Sequence, residues 1–215
     1  MNNSVTPSVL AFMKNAVFDA FPGVLRRGPT KANRVALTFD DGPDEMTEAY
    51  LDLLDELGVP ATFFLIGMRA IKQPQMIREY VRRGHQIAGH GFDHARFNKL
   101  SRRALLEQCD RTEDALGGQL SGRPWVRPPH GSLDASSLIS LVTSGYTVAM
   151  WSLDARDYNT TDPAQIAEHC APISAGDVVL FHEGQQWTLS ALPRIVAAIH
   201  EAGLECVTMH DLFAS

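Results

Sequence analysis

The sequence predicts an α/β fold, either a parallel barrel or a doubly wound sheet, on three observations. From residue 34 onward, short β-rich runs alternate with helically spaced stretches seven times. Several of the runs, 61–66 and 178–181 among them, are almost unbroken apolar sequence. Continuous apolar runs are the habit of parallel strands buried on both faces beneath helices. Each helical stretch also ends in glycine just before the next run, and β–α alternation of this kind builds parallel sheets.

The predicted strands cover residues 34–39, 61–66, 85–88, 125–127, 146–151, 177–181 and 204–208. The clearest helix lies at 48–57, where Tyr50, Leu51, Leu53, Leu54 and Leu57 share one broad face. Gly58 stops it and Pro60 prevents its resumption. The same punctuation recurs at Gly84, Gly117–Gly118, Gly145 and Gly203. No G-x-G-x-x-G follows the first strand, which argues against a dinucleotide site. Residues 1–33 read as a helical extension ahead of a single domain over 34–215. Leu10, Met13, Val17 and Phe21 have helical spacing, and Pro22–Gly23 end the segment. The extension is expected to pack against the domain. The alternative is peripheral membrane contact through residues 9–21, although their polar face is not rich in Lys or Arg.

A chain of 215 residues, 45% hydrophobic and 20% charged, suits one soluble domain. A net charge of −6 leaves no broad basic surface for nucleic acid. No segment approaches the roughly 20 apolar residues of a membrane span. No basic start followed by an apolar stretch is seen, so a cytoplasmic location is expected. Cys109, Cys170 and Cys206 are odd in number and far apart, which fits buried free thiols better than disulfides or a cysteine-built zinc site. The oligomeric state is not legible.

In β/α folds reactive groups gather at the carboxyl ends of strands. The unusual polar residues fall there: Asp40–Asp41 after the first strand, His90 and His94 after the third, Arg127 through His130 after the fourth, Asp154 and Asp157 after the fifth, and His182–Glu183 after the sixth. Adjacent side chains at a strand end diverge, so Asp40 and Asp41 can serve different tasks. Two carboxylates facing an empty pocket would raise a pKa, a conflict that a cation resolves. Asp-Gly-Pro is also ordinary turn chemistry. His90 and His94, spaced i, i+4, put two imidazoles on one side of a helical turn or a tight loop. Two histidines and a carboxylate are an established catalytic zinc set, so Asp41, His90 and His94 form the candidate metal site. Arg127, stiffened by Pro128–Pro129, is placed to clamp Asp40; a surface ion pair is the plainer alternative. His182, at the end of an apolar strand, is a candidate proton donor, and a hydrogen-bonded core histidine is the alternative. His85, His169, His200 and His210 carry no role. Phe92, Trp151, Tyr158 and Trp187 lie near the mouth, where they serve either sugar stacking or packing.

At these residues the chain resembles the polysaccharide deacetylase family, carbohydrate esterase family four. T-F-D-D-G-P stands complete at 38–43, H-x-x-x-H at His90 and His94, R-P-P-x-G at 127–131, a near match to D-x-x-D-W at 154–158, and L-x-H at 180–182. All five motifs occur in the family's order. The resemblance implies a distorted (β/α)7 barrel. It also implies a metal held by Asp41, His90 and His94, usually zinc, with cobalt or nickel as alternatives. Asp40 would be the general base, oriented by Arg127, and His182 the general acid. Asp157 would tune His182, ahead of Asp154. Leu180 would line the acyl pocket, Tyr158 the substrate groove, and the backbone N–H of His130 would help bind the oxyanion. Four residues depart from the pattern: Gly91 for Ser or Thr, Tyr158 for Trp, His130 for an aromatic such as Tyr, and Glu183 for Asp. No ligand, base or acid is missing.

The function expected is metal-dependent hydrolysis of an N-acyl group, acetyl in the first place, from an amino sugar in a glycan or glycoconjugate. The alternatives are an amidohydrolase acting on a small non-sugar amide, a deformylase acting on a lipid-linked amino sugar, and a non-catalytic glycan-binding module.

Overall fold

The computed structural model describes residues 21–118 and 124–214, and the helix expected over residues 9–21 lies, apart from Phe21, outside them. The strands among the described residues are β1 (Val24–Leu25), β2 (Arg34–Asp40), β3 (Thr62–Leu65), β4 (Gln86–Gly89), β5 (Trp125–Val126), β6 (Thr147–Ala149), β7 (Leu153–Asp154), β8 (Val178–His182) and β9 (Glu205–Cys206). The helices are α1 (Thr47–Leu57), α2 (Gly67–Lys72), α3 (Pro74–Arg82), α4 (Arg102–Ala115), α5 (Ala135–Thr143), α6 (Pro163–Cys170), α7 (Gln186–Glu201) and α8 (Met209–Phe213). All seven expected strands are present, most of them trimmed at the ends. β1 and β7 are additional. β1 pairs with β6, so the sheet takes in residues ahead of position 34.

The sheet is parallel, in the order β1-β6-β5-β4-β3-β2-β8-β7, and β9 pairs with the first residues of β2. It curls into a distorted barrel. After β6 the chain crosses the gap: Met150 N–H donates to Leu25 O at 2.7 Å and Ser152 N–H to Val178 O at 3.0 Å. One short segment thus touches both ends of the sheet, which is why the run expected over 146–151 breaks into β6, a crossing and β7.

Alternation along β2 decides what faces the barrel interior. Val35, Leu37 and Phe39 point outward and join Leu51, Leu54, Leu192 and Ile195 of α1 and α7 in the main core. Ala36 points inward, packed with Phe64, Ala88, Val178 and, from α8, Met209 and Leu212, which plug the lower end. With a side-chain period of two, Thr38 and Asp40 share the inward face of Ala36. The same parity carries Leu180 and His182 inward above Val178, and His90 above Ala88. Register places Asp40 beside His182 and Thr38 beside Leu180. The upper interior is therefore polar because the inward parity of three strands ends in ionisable residues.

α1 ends at Gly58, whose φ of 67° reverses the chain so that its N–H returns to Asp55 O. The three cysteines are buried and unpaired. Among the described residues no helix is long and apolar enough to cross a membrane.

Phe39 is fully buried and stacks between Phe63 (5.1 Å) and Phe181 (5.4 Å). Phe39→Ala is expected to cost about 3–5 kcal/mol in denaturant unfolding, because it opens a cavity among rings that cannot collapse to fill it.

Candidate active site

Arg127, at the end of β5, is fully buried. Its Nη1 donates to Asp40 Oδ1 at 2.7 Å and to Thr38 Oγ1 at 2.8 Å, and Nη2 donates to Met150 O at 3.1 Å. The guanidinium lies 3.8 Å above the ring of Phe64. It is therefore not a surface ion pair. It fixes Asp40 inside the barrel mouth, while burial pushes its own pKa down against the pull of Asp40.

Asp41 leaves β2 with φ of 78°, a left-handed conformation that Asp tolerates better than most residues. Its N–H donates to Phe64 O (3.2 Å), and its carbonyl accepts from Arg69 Nη1 (2.6 Å). The kink turns its carboxylate away from Asp40 toward two imidazoles: Oδ1 lies 3.1 Å from His94 Nε2 and 3.6 Å from His90 Nε2. The next residue has no room for a side chain, since a Cβ on Gly42 would collide with the carboxylate of Glu183.

His90 and His94 lie in a tight loop rather than on a helix, and His94 has φ of 63°. His90 Nδ1 meets Arg127 O at 2.9 Å, which fixes the ring and leaves Nε2 facing Asp41. Burial lowers the His90 pKa and so favours the neutral imidazole, the form that binds metal. Where Gly91 offers no hydroxyl, Gln108 of α4 steadies the loop, its side-chain oxygen accepting from the N–H groups of Phe92 (2.8 Å) and Asp93 (3.1 Å).

The ligand atoms of Asp41, His90 and His94 lie within 4.8 Å of one another. Asp41 Oδ1 is buried without an aligned hydrogen bond. Atoms about 2.0–2.2 Å from a shared tetrahedral ion sit roughly 3.3–3.5 Å apart, so a spacing of 3.1–3.6 Å fits a divalent cation. Burial acts to raise the Asp41 carboxyl, but the imidazoles of His94 and His90 outweigh it and hold the group well below the usual carboxylate range.

His182 closes the opposite wall. Its Nδ1 lies 2.7 Å from Asp157 Oδ1, and its backbone N–H donates to Asp157 Oδ2 at 2.7 Å. Thr188 Oγ1 also donates to Asp157, at 2.9 Å. Burial alone would lower the imidazole, but the bond and charge of Asp157, helped by Asp40 and Asp41, raise it to about 9. Asp154 does not reach His182. Its oxygens accept from the Arg156 N–H (2.8 Å) and from Tyr158 Oη (2.9 Å). Tyr158 is exposed and stands edge-on to His182, ring centroids 5.3 Å apart.

Asp40, Asp41, His90, His94, His130, Leu180, His182 and Tyr158 all line one cavity of about 420 Å³, with Gly131, Trp151, Asp154 and Gln185. His130 has φ of 57°, and its ring centroid is 4.4 Å from that of His94. Its pKa is lowered by burial, then by His94 and Arg96. Phe92 and Trp187 do not line the cavity. Phe92 is buried with Arg111 stacked 3.6 Å above it, and Trp187 Nε1 donates to Asp157 O at 2.8 Å.

Sequence reading placed Thr38 in a motif and Glu183 at a strand end without their partners, and missed Gln108, Gln185, Tyr80 and Thr47. Thr38 braces Arg127, Gln108 braces the histidine loop, and Gln185 lines the cavity. Glu183, behind His182, is buried among Tyr80, which donates at 2.8 Å, and Thr47. Burial raises its carboxyl to about 8 against the bonds from Thr47 and Tyr80. Gln185 was reachable from its place three residues after His182. The others come from elements whose own sequence carries no sign of the partner.

Residues 27–149 match the family described as Polysaccharide deacetylase. A peptidoglycan-N-acetylglucosamine deacetylase of Listeria monocytogenes is 30% identical over 183 residues, covering 84% of this chain and 39% of that protein, so the chain spans well under half the relative's length. A chitooligosaccharide deacetylase of Sinorhizobium fredii is 33% identical over 195 residues, covering 82% of this chain and 90% of that one. The crystal structure of the Bc1960 peptidoglycan N-acetylglucosamine deacetylase superposes with a TM-score of 0.84 at 30% identity, covering 90% of this chain and 94% of the other.

Calorimetric titration of chelator-stripped protein with Zn²⁺ is expected to give one site per chain. Gly42→Ala is expected to weaken that site at least ~10-fold, the scale on which groups supporting metal ligands act, because the added Cβ displaces the turn that aims Asp41.

Proposed function

The chain belongs to the polysaccharide deacetylase family, and from its site we propose that it is a divalent-metal-dependent hydrolase that removes an N-acetyl group from an amino sugar in a glycan. Relatives named for action on peptidoglycan N-acetylglucosamine and on chitooligosaccharides put N-acetylglucosamine first as that sugar. The observation that carries the reading is the grouping, in one cavity, of a metal-ligand trio with a braced carboxylate on one side and a carboxylate-paired imidazole on the other.

Asp41, His90 and His94 would hold the ion, zinc in the first place by its nitrogen and oxygen donor set, with cobalt or nickel able to replace it. When bound, a divalent ion there acidifies water and polarises an acyl oxygen. Asp40, pinned by Arg127, accepts the proton of the attacking water. Its anchored oxygen is Oδ1, and its Oδ2 lies 3.6 Å from His90 Nε2, on the metal side of the mouth. His182, protonated at neutral pH, donates to the nitrogen that leaves, which would otherwise depart as a poor amide anion. Asp157 holds Nδ1 so that Nε2 is the donating atom. The N–H of His130 is assigned to the developing oxyanion, and Leu180 is assigned to the acyl methyl group. Tyr158 and Trp151 form the sides of the groove that takes the ring.

The test is metal analysis combined with acetate release from N-acetylated oligosaccharides, alongside N-formyl sugars and small cyclic amides. Chelator-sensitive acetate release from the sugars supports the reading. Turnover of the cyclic amides alone, or glycan binding that chelator leaves unchanged with no turnover after metal is restored, contradicts it.

Asp40→Asn and His182→Ala are each expected to lower kcat at least ~10²-fold, the scale of acid–base catalysis. A general acid works while protonated, so kcat/KM should fall as pH rises through the His182 pKa near 9. Removing the Asp157 charge lowers that pKa, so Asp157→Asn should move the alkaline limb to lower pH. A pH–rate profile of both proteins checks the direction.

A further inference from the structure

We propose that Gln185 is a specificity-determining residue, its side-chain amide nitrogen donating a hydrogen bond to a substrate oxygen beside the amide being cleaved. The inference rests on the hydrolase reading above and names a contact that the reading does not use. Trp187 Nε1–H is shared between Asp157 O at 2.8 Å and Gln185 Oε1 at 2.6 Å. An indole N–H is a donor only, so the atom it meets must be the carboxamide oxygen, and the NH₂ group must face away. That nitrogen has no hydrogen-bond partner among the described residues, and Gln185 lines the cavity that holds Asp40 and His182.

The backbone is fastened as firmly as the oxygen. Tyr50 Oη donates to Gln185 O at 2.7 Å, lies 3.3 Å from its N–H, and lies 3.3 Å from His182 O. The 182–185 turn is thus pinned by one hydroxyl, and the amide is pre-set rather than ordered at binding, which lowers the entropic cost of a contact. Two donor hydrogens without partners, held at the edge of a cavity, suit an oxygen acceptor of the ligand. Gln185 is three residues beyond the group assigned to protonate the leaving nitrogen. It lines the same cavity as that group, where a sugar brings hydroxyl and glycosidic oxygens as acceptors. A small aryl acetamide has no such oxygen.

The experiment compares wild type, Gln185→Met and Gln185→Glu on an N-acetylated chito-oligosaccharide and on acetanilide. Met removes the amide at similar volume, and Glu keeps an oxygen for Trp187 but brings no donor. Loss of one uncharged hydrogen bond to substrate corresponds to roughly 3- to 10-fold. Gln185→Met is expected to raise KM for the oligosaccharide by that factor with kcat little changed, and to leave KM for acetanilide and Zn²⁺ affinity unchanged; Gln185→Glu is expected to raise the same KM, measured at a pH where His182 stays protonated in both proteins. Equal losses on both substrates mark a merely structural role and overturn the proposal, as does an unchanged KM for the oligosaccharide. The same contact is read without turnover by titrating the oligosaccharide into metal-loaded Asp40→Asn with and without Gln185→Met. A 3- to 10-fold weaker Kd supports the contact and an equal Kd overturns it, whatever the wild-type enzyme hydrolyses.

Discussion

One buried cation organises the site. The Arg127 guanidinium carries a full charge inside the barrel, a position that is costly unless the charge is paired and its hydrogen bonds are satisfied. Asp40, Thr38 and the Met150 carbonyl supply that environment at the two terminal nitrogens and Phe64 at the face, while Nε is buried without a partner among the described residues. The Arg127 carbonyl accepts from His90 Nδ1 at 2.9 Å, and its backbone N–H donates to Gly89 O at 2.9 Å. One residue therefore sets the Asp40 carboxylate beside the candidate metal site and the ring of His90 within it. Breaking such a pair by removing one partner costs about 3–5 kcal/mol, because an uncompensated charge is left buried. Truncating Asp40 to Ala would carry that cost, whereas Asn keeps an oxygen against Arg127 Nη1 and disturbs the fold least.

The second constraint is parity. Inward-facing positions on β2, β4 and β8 pass through Ala36, Ala88 and Val178 and end above in Asp40, His90 and His182, so the strands that build the barrel also aim its ionisable groups. The side chains around the cavity are held by neighbours rather than by ligand: Asp41 by a left-handed turn against Gly42, His94 by a loop that Gln108 ties down, and His182 by Asp157 through both ring and backbone. Such preorganisation is what makes charge stabilisation effective in a site closed to water. Where the chain departs from the family's motifs, the structure supplies a local answer in two cases. Gln108 braces the loop that lacks a hydroxyl at Gly91, and Asp154 anchors Tyr158 where the family has Trp.

Much of this was legible in sequence. The strands announced themselves because burial on both faces leaves an unbroken apolar run, and the strand-end motifs because loops there carry the odd polar residues. β1 and β7 were not legible, since two residues are too few to show any period. The break after Ala149 depends on closure of the sheet, which no local pattern encodes. Asp157 and Asp154 are equally acidic and three residues apart, and only the turn between them decides which one reaches His182. Arg127 could be assigned to Asp40 or to the surface until the barrel put Phe64 and Met150 around it. Tyr80, Thr47 and Gln108 act across long stretches of chain, so nothing in their own neighbourhoods marks them. Phe92 and Trp187, near the mouth in sequence, turn to packing and to the support of Asp157.

The most direct measurement of the central claim is a crystal structure of zinc-loaded protein with anomalous data collected on both sides of the zinc edge. The account predicts a single strong peak about 2.0–2.2 Å from Asp41 Oδ1, His90 Nε2 and His94 Nε2, with Asp40 still bound to Arg127. A peak elsewhere, or none at those three atoms at saturating zinc, would contradict it.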